Sequence, residues 1–159
     1  MTRLRITPVA ATMTVQDLGR AGHTALGLSR GGAMDRHAVL EAAAMLGEIW
    51  PAIEMAGVGG SFEVDQACRI ALTGAPMVAR LNGRDLAWNA THRMGTGDIL
   101  IIGAASRGIY GYVTFAGGLE GETFLGSQAA SPGIGIGRAF ETGDIVGLGR
   151  DPDLRAPEV

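Results

Sequence analysis

The chain has 159 residues, of which 47% are hydrophobic and 26 are glycines, a composition typical of one globular domain with a core and many turns. Its formal net charge of −3 argues against a nucleic-acid-binding surface, and its apolar runs are too short to predict a membrane-spanning segment. All thirteen basic residues are arginines, so the chain has no lysine for a P-loop, a Schiff base or a biotin carrier.

The amino terminus and the single cysteine support further expectations. Residues 1–10 lack the apolar core of a signal peptide, which predicts a cytoplasmic protein. Cys68 is the only cysteine, so no intrachain disulfide forms, and its position in an apolar run predicts a buried, unreactive thiol. Three histidines and one cysteine show no metal-ligand spacing, and we therefore expect no metal site.

The chain begins with predicted strands and then becomes polar. Residues 4–9 alternate like a strand that carries Pro8 near its end, and residues 12–15 continue the sheet. Residues 15–35, called the polar loop below, have poor apolar periodicity and contain two carboxylates, two guanidiniums, an imidazole and an amide. A solvated surface loop and a functional loop both fit this composition, although long irregular loops inside compact domains tend to be functional.

The clearest helical pattern follows the polar loop. Asp35 is placed as the N-cap of a helix over residues 36–46, and Gly47 is placed to end it. The face predicted to be buried carries Val39, Ala42, Ala43 and Leu46. The helix N-terminus together with Arg30 also suits an anion such as a carboxylate or carbonate, a role compatible with capping.

The chain after Pro51 has β character. Short strands are predicted over residues 52–55, 62–64, 68–72 and, as a central strand, 109–115. Asn82-Gly83 predicts a two-residue hairpin of type I′. Glu54 interrupts an apolar run, and it is either an outward-facing strand residue or a carboxylate that points into a pocket.

A weak internal repeat relates residues 95–103 to residues 141–149. Each copy has a Gly-Asp turn before a strand, which makes Asp98 and Asp144 turn formers rather than catalytic acids. Residues 126–138, rich in Gly, Ser and Ala, predict a mobile surface loop.

One helix and about nine or ten short strands predict a mainly β barrel or sandwich. The domain is expected over residues 1–149. Residues 150–159 are charged and contain proline, which predicts a linker or a frayed tail.

Several motifs in order resemble a known family. The polar loop contains QDLGR and then GHTALGLSRGGAMD, and shorter motifs follow at residues 53–54, 71–75, 97–98, 115–118 and 125–127. This set is similar to the biotin-dependent carboxyltransferase-like family, which includes allophanate hydrolase subunit 2, the C-type 5-oxoprolinase subunit and antagonists of a histidine-kinase inhibitor. The family usually carries Ala-Asn and Gly-Asn pairs where this chain has Ala42-Ala43 and Gly47-Glu48. Its members are much longer, so the resemblance is to their N-terminal half.

The resemblance implies a cyclophilin-like closed barrel and a non-ATP-binding subunit or domain that is not active alone. The enzyme would be a multi-subunit ATP-dependent amide or lactam hydrolase of the 5-oxoprolinase type, or a urea-type carboxyltransferase. One alternative is a regulatory module that sequesters a histidine-kinase inhibitor, and another is a half-domain that only folds and docks.

The resemblance also implies the partners. The companion subunit would be of the allophanate hydrolase subunit 1 or kinase-inhibitor-like type, and only partner chains would bind ATP or biotin. The ligand would be a small amide or carboxylate substrate, with no nucleic acid and no membrane as partner.

The candidate site combines this resemblance with the residue types. Arg20 and Arg30 are expected to hold a carboxylate, and their orienting neighbours would be Gln16, Asp17 and Asp35. The backbone N–H groups of Gly31, Gly32 and Gly117 are expected to polarise a carbonyl oxygen. No nucleophile–base–orienter triad is predicted, so the catalytic residues stay unassigned. The candidate substrate-binding residues are Gln16, Asp17, Arg20, His23, Ser29, Arg30, Gly31, Gly32, Met34, Asp35, Glu54, Gly117 and Gly118.

Overall fold

Short apolar-alternating segments form most of the regular structure in residues 2–8 and 12–159, which are the residues that the computed structural model describes. The strands are β1 (Thr2–Pro8), β2 (Thr14–Gln16), β3 (Ala52–Ala56), β4 (Gly60–Val64), β5 (Cys68–Gly74), β6 (Met77–Leu81), β7 (Arg84–Asp85), β8 (Ala90–Met94), β9 (Ile99–Ala105), β10 (Tyr110–Phe115) and β11 (Asp144–Leu148). Helix α1 spans Arg36–Leu46, and two 3₁₀ helices span Thr24–Leu26 and Pro132–Ile134. The prediction of a mainly β chain with one helix is confirmed.

The strands pair into two antiparallel sheets. The six-stranded sheet has the order β11-β1-β4-β9-β6-β7, and the five-stranded sheet has the order β2-β3-β10-β5-β8. Strand β10 lies in the middle of its sheet, as predicted for residues 109–115. Within residues 2–8 and 12–159 both sheets keep open edges, so the closed barrel is not confirmed.

The main core lies between the two sheets because each strand turns alternate side chains toward it. In β4, for example, Phe62 and Val64 are buried while Glu63 between them is exposed. The rings of Phe62 and Phe115, from opposite sheets, have centroids 6.1 Å apart. Strand β5 is buried along nearly its whole length because α1 covers its other face.

Helix α1 begins and ends where the sequence predicts. The Asp35 carboxylate accepts the N–H groups of His37 at 3.0 Å and Ala38 at 3.3 Å. Gly47 ends the helix with a φ of 91°, a left-handed conformation that favours glycine. Ala43, predicted for the inner face, is only half-buried, and the residues that are buried are Ala38, Val39, Ala42 and Leu46.

The hairpin prediction is confirmed. Asn82 and Gly83 connect β6 to β7 with φ values of 49° and 82°, both positive as a type I′ turn requires.

The two copies of the repeat form equivalent turns. Asp98 accepts the N–H of Gly95 at 2.6 Å, and Asp144 accepts the N–H of Glu141 at 2.8 Å. Both carboxylates bind the backbone three residues earlier, so the prediction that Asp98 and Asp144 form turns is confirmed.

The first strands are shifted from their predicted limits. Strand β1 begins at Thr2 and ends at Pro8, and Val9 lies outside the described residues. Strand β2 covers Thr14–Gln16 instead of residues 12–15.

The prediction of a surface loop over residues 126–138 is wrong for part of this segment. Ser127, Ala129 and Ala130 are buried, with exposed fractions of 2%, 0% and 8%. They are covered because the polar loop packs over them. Residues 132–135 are exposed.

The prediction of a frayed tail over residues 150–159 is also wrong. Asp151 is buried and forms an ion pair with Arg69 at 2.9 Å. Further along, the N–H of Thr91 on the edge strand β8 donates to the carbonyl of Val159 at 2.7 Å. The tail therefore lies against the five-stranded sheet, whereas a domain boundary at 149 and a linker role stay predictions.

The single thiol is buried, as predicted. Burial, with a smaller contribution from the Asp151 carboxylate, raises the pKa of Cys68 to about 12, which keeps the thiol protonated and unreactive at neutral pH. In the described parts of the chain, no helix is long and apolar enough to cross a lipid bilayer.

Candidate functional site

The polar loop closes on itself near its two ends. The N–H of Arg20 donates to the carbonyl of Arg30 at 2.8 Å, and the N–H of Ala33 donates to the carbonyl of Asp17 at 2.8 Å. The Arg30 Nε atom donates to the carbonyl of Leu18 at 2.8 Å, which adds a third bond across the same base. We call residues 17–20 and 30–33 the neck and residues 21–29 the tip.

Two glycines let the two sides of the neck approach each other closely. A Cβ atom on Gly32 would lie 2.6 Å from the backbone nitrogen of Gly19, and one on Gly19 would lie 2.6 Å from the carbonyl oxygen of Arg30. Both glycines also have positive φ, of 86° and 82° respectively. Any larger residue at these two positions would therefore push the neck apart.

The tip is the accessible part of the loop. All of its residues except His23 and Leu28 are exposed, and Leu26 reaches an exposed fraction of 84%. Among the candidate site residues, Ser29, Arg30 and Met34 are exposed and His23 is half-buried. Substrate contact through these four side chains is sterically open and stays a prediction.

Asp17 was expected to orient an arginine, but its carboxylate binds other groups. It accepts the N–H of Gly19 at 2.8 Å, the hydroxyl of Ser127 at 2.6 Å and the N–H of Gln128 at 2.8 Å. Asp17 therefore ties the neck to residues 124–131, called the support segment below.

Gln16 and Arg20 bind the same support segment. The Gln16 Nε2 atom donates to the carbonyl of Ala130 at 3.0 Å. The Arg20 Nη2 atom donates to the carbonyl of Ala129 at 2.6 Å, and its Nε atom donates to the carbonyl of Phe124 at 3.4 Å. Both side chains are buried, with exposed fractions of 6% and 2%, so they lie inside the protein rather than on an open surface.

Glu54 is neither an outward-facing residue nor one that points into an open pocket. It is buried, and its carboxylate accepts the hydroxyl of Tyr112 at 2.7 Å and the N–H of Met34 at 2.8 Å. The Tyr112 oxygen in turn accepts the N–H of Asp35 at 2.8 Å. Burial raises the pKa of Tyr112 above its ordinary value, and the hydrogen bond to Glu54 raises it further against the opposing effect of the Asp35 N–H. This pair fixes the end of the polar loop where α1 begins.

Gly117 and Gly118 have packing contacts that explain their residue type. A Cβ atom on Gly118 would lie 2.7 Å from the ring of Trp50, and one on Gly117 would overlap the carbonyl of Gly149. The N–H of Gly118 donates to the carbonyl of Phe115 at 3.0 Å, so it is already satisfied. By contrast, the N–H groups of Gly31 and Gly32 donate to no acceptor among the described residues.

The residues that hold the loop were not predicted from the sequence. Tyr112 was expected only as part of a strand, and Ser127 and Gln128 were placed in a mobile loop. The one available indication was the motif at residues 125–127, which belongs to the resemblance but has no apolar periodicity.

The comparison with protein families matches this chain to one domain. Residues 26–159 match the family model described as carboxyltransferase domain, subdomain A and B. This match includes most of the tip, the support segment and the tail.

Curated relatives are similar along nearly the whole chain. It is 32% identical over 158 residues to the C-type 5-oxoprolinase subunit of Haemophilus influenzae, covering 95% of this chain and 51% of that protein. It is 30% identical over 156 residues to urea amidolyase of Lachancea kluyveri, covering 94% of this chain and 8% of that protein. The chain thus spans about half the length of the 5-oxoprolinase subunit and a small part of the urea amidolyase.

Solved structures share the fold. The urea amidolyase of K. lactis aligns with a TM-score of 0.87 and 28% identity over 97% of this chain and 10% of that protein. The urea carboxylase of Kluyveromyces lactis aligns with a TM-score of 0.87 and 28% identity over 98% of this chain and 14% of that protein. The family match covers most of the chain, and the chain therefore belongs to the family of the carboxyltransferase domain, subdomains A and B.

Proposed function

We propose that this chain is the non-ATP-binding component of a multi-subunit, ATP-dependent enzyme that opens a small amide or lactam, of the 5-oxoprolinase type. The observation that carries the proposal is the 32% identity to a C-type 5-oxoprolinase subunit over 158 residues. A urea-type carboxyltransferase is the second candidate, favoured by the similarity to urea amidolyase. These relatives carry the names of enzymes, so the regulatory alternative has no support from them.

The chain's own chemistry supports a dependent role. It contains no lysine, so it offers no attachment point for biotin and no Walker lysine for ATP. ATP or biotin would therefore be bound by partner chains, and the proposed partner is a companion subunit of the allophanate hydrolase subunit 1 type. The chain also spans about half of the related subunit, so activity in isolation is not expected.

The geometry supports substrate contact at the exposed side of the polar loop. The neck holds Arg30 by its Nε atom, which leaves the remaining guanidinium N–H groups in solvent on a braced backbone. A guanidinium fixed in this way suits a carboxylate of a substrate such as 5-oxoproline. Ser29 and His23 share no hydrogen bond among the described residues, so a serine nucleophile is not part of the proposal.

The test is turnover by the assembled complex. The chain is purified with its companion subunits, and ATP-dependent hydrolysis of 5-oxoproline is measured with this chain present and withheld. We expect turnover only when the chain is present. An Arg30→Ala variant should lower kcat/KM by about tenfold or more, because a carboxylate loses a charge-assisted partner.

The matched control is Arg84→Ala, which removes an exposed arginine on β7 that is part of no ion pair among the described residues. It should leave kcat/KM unchanged. Equal kinetics for both variants and wild type would remove Arg30 from the site. Turnover that does not require the chain would exclude the subunit role.

A further inference from the structure

Arg20 is a buried cation without a counter-ion. Its side chain is among the largest fully buried ones, and the five ion pairs of the described residues do not include it. An arginine stays protonated in a protein, and a buried charge is unfavourable unless it is paired. The two carbonyl groups that accept from Arg20, and the Phe124 ring at 5.9 Å, offer partial dipoles rather than a full negative charge.

One nitrogen of this guanidinium is unused. Nε and Nη2 donate to the carbonyls of the support segment, whereas Nη1 is buried and has no hydrogen-bond partner among the described residues. Buried donors without partners are rare in native proteins and call for a specific explanation.

The unused nitrogen faces a gap that a glycine leaves open. A Cβ atom on Gly31 would lie 3.4 Å from Arg20 Nη1 and 3.3 Å from the Oγ atom of Ser131. Gly31 has no such atom, so the two polar groups line a space of about the size of one oxygen or methyl group. Ser131 is half-buried, and neither its hydroxyl nor the N–H of Gly31 has a partner among the described residues.

We infer that a small oxyanion of the carboxylate class binds at Gly31, with one oxygen accepting hydrogen bonds from Arg20 Nη1 and Ser131 Oγ. This places the missing negative charge next to the buried cation and uses the free donors together. The anion is either the carboxylate of a substrate or a free bicarbonate ion. The inference deepens the proposed function and rests on it only for the source of the anion.

The test is a titration followed by NMR on the isolated ¹⁵N-labelled chain. Sodium acetate and sodium bicarbonate are added in separate experiments at constant pH, with sodium chloride at matched ionic strength as the reference. We expect saturable shifts of the Gly31 and Ser131 amides and of the Arg20 guanidinium with one of the two salts. The salt that binds more tightly identifies the source as a carboxylate group or as bicarbonate.

A matched pair of glycine variants separates the gap from general effects on the loop. Gly31→Ala fills the gap, whereas Gly27→Ala adds the same methyl group at a position with a φ of 83° and no atom within 4 Å. Both substitutions place alanine in a left-handed backbone conformation. We expect the apparent Kd to rise by about tenfold or more in Gly31→Ala and by less than about twofold in Gly27→Ala. Ser131→Ala, which keeps the backbone unchanged, should also weaken binding and serves if Gly31→Ala loses the native spectrum.

No saturable shift with either salt, as expected of a site that holds water alone, would overturn the inference, as would equal Kd values for the two glycine variants. The proposed function fails by a different result, because its assay is turnover in the complex. Turnover without anion binding to this chain would overturn only the site at Gly31.

Discussion

The carboxylate of Asp17 accepts a hydrogen bond of 2.6 Å from the hydroxyl of Ser127, a residue 110 positions later in the chain. The other carboxylate oxygen accepts the N–H of Gln128, so two side-by-side contacts join the neck to the support segment. A single ionised side chain thereby determines where the polar loop lies on the protein.

Replacing Asp17 with asparagine should destabilise the protein although it preserves the side-chain shape. Hydrogen bonds to an ionised acceptor contribute about 1.5–3 kcal/mol each, and the amide replaces them only in part, so we expect a loss of about 2 kcal/mol in the free energy of unfolding. Urea unfolding followed by circular dichroism measures it. The control is Asp85→Asn, whose side chain is 79% exposed and should leave the urea midpoint unchanged. Similar midpoints for the two variants would show that the Asp17 contacts contribute little.

Replacing Gly32 with alanine should open the neck. The new Cβ atom would lie 2.6 Å from the nitrogen of Gly19, and the φ of 86° adds strain. We expect faster hydrogen exchange at the N–H groups of Arg20 and Ala33, which bridge the neck. In Gly27→Ala, where the added atom meets nothing within 4 Å, these two amides should exchange as in wild type. Unchanged exchange in Gly32→Ala would contradict the close packing.

Replacing Tyr112 with phenylalanine should leave two buried groups without a partner. Glu54 would lose a donor and the N–H of Asp35 an acceptor, which costs about 1–3 kcal/mol for each group left unsatisfied. Thermal unfolding measures the change. The control Tyr110→Phe removes a hydroxyl that makes no hydrogen bond among the described residues, and its Tm should match wild type. A Tm for Tyr112→Phe equal to that of the control would exclude a stabilising role for the Tyr112 hydroxyl.

The same residue predicts a response to alkaline pH. Folding raises the pKa of Tyr112, so its neutral hydroxyl contributes full stability below the ordinary tyrosine pKa of about 10, and this contribution is lost as the pH rises toward the folded value. Wild type should therefore lose stability above about pH 10 more steeply than Tyr112→Phe. Parallel curves in urea would contradict this assignment.

Replacing Arg69 with methionine should be among the most damaging single changes. It would leave Asp151, whose side chain is 2% exposed, as a buried carboxylate without its cation, at a cost of about 3–5 kcal/mol. The double variant Arg69→Met/Asp151→Leu should recover much of this loss because no charge stays buried. Urea midpoints decide it, and a double variant less stable than the single one would contradict the argument.

The Arg69–Asp151 pair also predicts acid sensitivity. Burial alone would raise the pKa of Asp151, but hydrogen bonds from Arg69 and from the N–H of Asp153 outweigh it and hold this pKa below its usual value. The contribution is therefore complete above the ordinary aspartate pKa of about 3.9 and is lost as the pH falls through the lower folded value. Asp151→Asn should flatten the loss of stability below about pH 4. A variant that follows the wild-type acid curve would exclude this pair as its cause.

Elements whose stabilising groups are neighbours in the chain were predictable from sequence. Helix α1 has its cap at Asp35 and its stop at Gly47, and the type I′ turn needs only Asn82 and Gly83. The two Gly-Asp turns bind the backbone three residues away. In each case a few adjacent residues specify the backbone conformation, so pattern and structure agree.

The roles of the polar residues were not predictable in the same way. Composition identified the segment of residues 15–35 as unusual, but it did not distinguish an exposed Arg30 from a buried Arg20. That difference depends on the support segment, whose Ala129 lies 109 residues further along the chain than Arg20 and shows no periodicity with its neighbours.

The order of residues was thus enough to establish the β-rich class, the helix, the turns and the resemblance to a carboxyltransferase-type domain, because these depend on local conformation and on motifs that are read along the chain. The sheet order, the docked tail, and which polar side chains brace the loop and which remain open to a ligand were decided by folding. The reason is that each depends on contacts such as Asp17 with Ser127 and Arg69 with Asp151, whose partners become neighbours only when the two sheets and the helix pack together.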